Sequence, residues 1–146
     1  MDNQWAIFGG VLLAIVAVVY FVFIRARTDP RVKELAALAY KTAAEIAELP
    51  ARGSTPPVRL KAARWNNSGV SVIGNYKWVG AFGKVLWDRI LVIKDPARIW
   101  EVLVHEMTHA VRRRNGKPSS EPAAYATKAL AAEMAPANLT ALLEKL

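Results

Sequence analysis

The chain has 146 residues, a formal net charge of +8, two histidines and no cysteine. That length has room for one domain, and the lack of cysteine excludes disulfides, thiolate metal sites and a thiol nucleophile, so any metal ligand must be His, Asp or Glu. The charge is concentrated, with nine Lys or Arg between Pro50 and Trp100 against Asp88 and Asp95 alone; such a face suits plain solvation or contact with anionic lipid headgroups, and nucleic acid is the least expected partner.

Twenty residues from Trp5 to Ile24, "WAIFGGVLLAIVAVVYFVFI", carry no charge. At 1.5 Å per helical residue they would rise roughly 30 Å, the thickness of a bilayer's hydrocarbon core. The start "MDNQ" and the continuation "RARTDP" lack the basic start and small-residue cleavage site of a signal peptide. Residues 1–27 therefore read as a transmembrane anchor. Arg25, Arg27, Arg31 and Lys33 follow the span and no cation precedes it, which predicts a single-pass protein with its N-terminus outside and the 28–146 domain in the cytoplasm.

Asp29-Pro30 supplies an N-cap and a first-turn proline for an amphipathic helix of about 20 residues ending at Pro50. "PARGSTPP" is a turn-rich connection. From Val58 to Ile93, short β-branched and aromatic runs predict three or four antiparallel strands, with tight turns at Asn66-Asn67 and Gly74-Asn75. Asp95-Pro96 opens the next helix, which Arg112, Arg113, Arg114 and Gly116 should close. Ser119 or Ser120 caps a further helix to about Glu133, and Pro136 starts a short last one.

The helix after Asp95 carries "VLVHEMTHAV". His105 and His109 are one turn apart on one face, so both imidazoles can reach one ion at about 2.0–2.1 Å. Glu106 lies about 100° further round, placed to act on a water activated by that ion. The bland alternative is a core helix that happens to hold two histidines, since Val102, Leu103, Val104, Met107 and Val111 would be buried in any case. A catalytic zinc needs a third protein ligand, and downstream only Glu121, Glu133 and Glu144 can supply it. The helix climbs roughly 7.5 Å beyond His109, and Asn115 to Ser120 is long enough to bring the chain back, which favours Glu121. Glu133 would lie roughly 18 Å further on, and Glu144 follows another proline. Tyr125, one turn after Glu121, can donate to an oxyanion or simply pack between helices.

"HEMTH" followed by "EPAAYA" resembles the gluzincin branch of the zincin metallopeptidases over about residues 29–146. The Glu-x-x-Ala pattern with its neighbouring aromatic is also similar to the ImmA/IrrE-type regulatory metallopeptidases. The resemblance implies a minimal α+β zincin-like domain built from a helix, an antiparallel sheet, an active-site helix and a glutamate helix. It implies Zn2+ on His105, His109 and Glu121, with Glu106 as general base. The large gluzincins have a second lobe that this chain lacks.

The expected function is thus a membrane-anchored zinc metalloendopeptidase acting on protein or peptide substrate laid along a sheet edge. The competing expectation is a non-catalytic anchored module in which Arg59, Lys61, Arg64, Trp65, Lys77 and Trp78 bind anionic lipid or a protein partner.

Overall fold

The computed structural model describes residues 2–20, 27–62, 65–67 and 70–146. Helix α1 spans Asp2–Val19. Among the described residues no helix is long and apolar enough to cross a membrane, which overturns the expected transmembrane anchor and, with it, the single-pass arrangement with a cytoplasmic domain. The described α-helix begins on Asp2, Asn3 and Gln4, and its apolar stretch from Trp5 to Val19 rises about 22 Å against the roughly 30 Å required. Phe21 to Ile24 and Arg25, which the span and its flank would also need, lie outside the described residues.

The remainder is an α+β domain. Asp29 caps a 3-10 turn, Pro30–Val32, by accepting from the Arg31 N–H at 3.0 Å, and the Arg31 guanidinium on the same carboxylate holds its pKa down to about 2. The turn runs into α2, Lys33–Ala47, whose Leu35, Ala36, Ala39, Tyr40 and Ala43 form one buried stripe. Glu48 adopts a left-handed conformation and ends it.

Among the described residues the strands that follow are β1 Val58–Lys61, β2 Trp65–Asn67, β3 Val70–Val72, β4 Gly74–Ala81 and β5 Lys84–Ile93. They form a three-stranded sheet of order β1-β5-β4 and a separate β2-β3 pair. The expected all-antiparallel sheet is corrected at one edge, because β1 runs parallel to β5 (Val58 beside Ile90, Leu60 beside Val92). The alternation of apolar and polar residues tells which side chains face inward but not which way a strand runs. Asn66-Asn67 and Gly74-Asn75 lie inside strands; the β4-β5 turn is Phe82-Gly83, with φ of 53° and 73°. Two consecutive positive φ values make it a type I′ turn.

Helix α3, Ile99–Arg114, is the element the others share, touching α2, β4, β5, α4 and α5. α4, α5 and α6 cover Glu121–Tyr125, Lys128–Glu133 and Leu139–Glu144. Ile99, Leu103, Val104, Met107 and Val111 of α3 are fully buried together with Leu35, Val58, Ile90 and Val92. The single helix expected up to Glu133 is split at Thr127, whose hydroxyl donates to the Ala124 carbonyl at 2.6 Å and competes with the helical ladder.

A buried polar tie crosses this core. Arg114 grips Asp88 of β5 with two bonds of 2.7 Å, and Asp88 is 4% exposed. Tyr76 of β4 donates to Asp88 at 3.0 Å, and Arg114 also donates to the Arg52 carbonyl and to the hydroxyl of Tyr40. Removing one partner strands a buried charge, so Asp88→Ala should cost about 3 kcal/mol or more of stability, whereas Asp88→Leu with Arg114→Met should cost clearly less. Urea unfolding of the two variants checks this; equal losses would mean that the tie contributes only volume.

Candidate metal centre

The motif sits where α3 leaves the core and faces β4. His105 and His109 are one turn apart with rings 5.0 Å between centroids, and their side chains are 16% and 10% exposed. Beyond them the helix closes on a Schellman motif: Lys117 N–H donates to the Arg112 carbonyl, Gly116 N–H to that of Arg113, and Gly116 takes φ 68°. Arg112 then bonds the Pro118 carbonyl at 2.6 Å, and Ser120 caps α4 by accepting from the Ala123 N–H.

This loop returns the chain as the spacing predicts. Glu121, first residue of α4, places one carboxylate oxygen 3.2 Å from His105 Nε2 and the other 3.1 Å from His109 Nε2. The three ligand atoms lie within 4.8 Å of one another, so His105, His109 and Glu121 form a group that can hold a metal ion. Glu133 and Glu144 end α5 and α6 and do not join it. Donors around a tetrahedral ion at about 2.0–2.1 Å are about 3.3 Å apart, close to the two imidazole–carboxylate distances here. His109 Nδ1 hydrogen-bonds Ser119 Oγ. With Nδ1–H donating, the lone pair of Nε2 is left for a ligand, as outer partners of metal-binding imidazoles arrange. Burial holds His109 below its ordinary pKa against the pull of Glu121, which favours the neutral, metal-binding form.

Glu106 is buried behind these three. Burial and the nearby Glu121 charge push its carboxyl up to about 8, against a hydrogen bond from the Tyr76 backbone N–H. β4 approaches so closely at Gly74 that a Cβ there would meet Val102 at 2.5 Å and Glu106 Oε1 at 2.9 Å; glycine is what lets the strand lie against the carboxylate. Tyr76 also lies parallel to the His109 ring at 6.5 Å. Asn75 Oδ1 is buried and has no hydrogen-bond partner among the described residues.

The Tyr125 ring lies 4.9 Å from the His105 ring and is 64% exposed. Sequence reasoning missed Gly74, Asn75, Tyr76, Ser119 and the Asp88-Arg114 tie; a polar run at the start of a strand, "GNY", gave no signal that it would face the motif. Of the six residues of the competing basic module, Arg59 and Lys61 lie on β1 and Lys77 and Trp78 on β4. Arg64 and the side chain of Trp65 are outside the described residues.

Two cavities open on the site, one of about 690 Å3 reaching His105 and Tyr125 and one of about 230 Å3 reaching His109 and Trp78. Both are bordered by Gly74, Asn75, Glu106 and Glu121, so the candidate metal group sits in the middle of a cleft along β4. Compared with family models, curated proteins and solved structures, the chain matches none. The resemblance therefore rests on the motif and its surroundings.

The raised Glu106 pKa has a sign. A carboxyl that holds its proton more tightly folded than unfolded gives stability that is full below about 4.5 and lost as pH rises through about 8. In metal-chelated protein, urea midpoints of the native chain should fall relative to Glu106→Gln between pH 5 and pH 9; comparing the two cancels His109, which acts in the opposite sense. Parallel pH profiles would contradict the burial assigned to Glu106.

Proposed function

We propose that the chain is a zinc-dependent peptidase. The observation that carries the reading is the juxtaposition of two imidazole nitrogens and a carboxylate within 4.8 Å with a separate buried carboxylate, Glu106, at the centre of an open cleft. A His2Glu donor set suits zinc, with an open position left over. When bound, zinc would supply Lewis acidity, polarising a carbonyl and lowering the pKa of water.

The chain's own residues supply the rest. Glu106 is the general base: it is not one of the three ligands, and a carboxyl with its pKa moved toward neutrality can take a proton from water and later return it to a leaving amine. The Tyr76 N–H orients that carboxylate. In the described sheet β4 pairs only with β5, so its outer edge can bind an extended peptide through main-chain hydrogen bonds, which give affinity with little demand on sequence.

Glu106→Gln keeps the shape and removes the base. Turnover of a mixed peptide pool should fall by roughly 10²–10⁴ with zinc still bound. Comparable turnover in the variant would take Glu106 out of the reaction and the peptidase reading with it.

A further inference from the structure

The two arms of the cleft differ in charge. On the His105 side the cations are matched, Arg98 with Asp95 at 3.8 Å and Lys128 with Glu101 at 3.7 Å. On the His109 side the cavity continues past Trp78, Arg113 and Ser119 into a second one of about 670 Å3 that runs to the Phe82-Gly83 turn. Arg113, Lys84 and Lys117 border this arm, and none forms an ion pair among the described residues. Among the described residues that border this arm, the acids are Glu106 and Glu121 at the metal-binding end. Arg113 lies over the Trp78 ring at 4.9 Å, which holds the guanidinium at the wall. At the far end the Phe82 ring is fully exposed, on a residue with φ of 53°. Asn or Gly is at ease in that conformation and a large aromatic is strained in it. Nothing in the packing of the domain asks for Phe there.

We infer that this arm is a subsite for acidic residues of a bound peptide, with Arg113, Lys84 and Lys117 meeting the carboxylates and Trp78 and Phe82 covering apolar neighbours. The inference rests on the peptidase reading for the placement of a peptide across the metal-binding group. Charge complementarity selects the sign of the ligand. The unpaired edge of β4 beside the arm selects a peptide over a nucleic acid, because that edge offers main-chain partners to an extended backbone.

The test uses the full chain loaded with zinc and three labelled peptides of one apolar sequence carrying Glu, Gln or Lys at the same positions. The Glu peptide should bind about tenfold more tightly than the Gln peptide at low salt, the size that a few partly exposed ion pairs supply. Arg113→Glu with Lys117→Glu should abolish that preference and improve binding of the Lys peptide, a gain that an unfolded variant cannot show. Lys41→Glu on α2, which changes net charge but borders none of these cavities, should leave the preference in place. Equal binding of Glu and Gln peptides, or a preference that survives the double reversal, overturns the subsite. So does an oligonucleotide of matched charge that binds more tightly than the Glu peptide. Cleavage is read separately: selective binding without cleavage leaves the subsite standing and ends the peptidase reading, whereas cleavage without preference does the reverse.

Discussion

Asp88 and Arg114 meet across the interior with two short bonds, and the site geometry depends on that meeting. Arg114 is the last residue of α3, the helix that carries His105, Glu106 and His109, while Asp88 is in the strand against which the helix packs. Tyr76 bonds the same carboxylate and thereby fixes β4. That strand in turn delivers the Tyr76 N–H to Glu106 and the bare Gly74 backbone to its side. Slip between helix and sheet would break the contact of β4 with Glu106, and the bidentate pair is the kind of interaction that sets such a register.

The electrostatic design of the cleft follows from this placement. Glu106 is buried between helix and strand at the edge of the cleft, while Glu121 is exposed and bridges the two imidazoles. Two neighbouring carboxylates thus have different surroundings, and in the proposed peptidase that difference separates a base from a ligand.

Much of the site was legible in the sequence because it is built from local rules. The i, i+4 spacing of the histidines, the Gly116 stop, the Ser120 cap and the length of the return loop each act over a few residues, and together they bring Glu121 to the motif. The Asp29 cap was legible for the same reason. Relations between distant segments were not. Arg114 read as one of three cations suited to a helix end, and nothing near it in sequence announces Asp88. Strand direction at β1 is set by the 62–83 crossover and leaves no mark on the alternation of side chains. The Phe82-Gly83 turn was hidden because Phe is a poor residue for it. The membrane expectation rested on an apolar run from Trp5 to Ile24, whereas among the described residues no helix is long and apolar enough to cross a membrane.

The metal centre is the claim on which the functional account stands, and the zinc content of the purified full chain tests it most directly. Titration followed by elemental analysis should give one zinc per folded chain. That zinc should be lost on His105→Ala and held far more weakly by Glu121→Ala, since two histidines alone leave the ion under-coordinated, and it should be kept by Glu133→Ala. A folded native chain that takes up no zinc, or zinc retained by Glu121→Ala and lost by Glu133→Ala, would contradict the account.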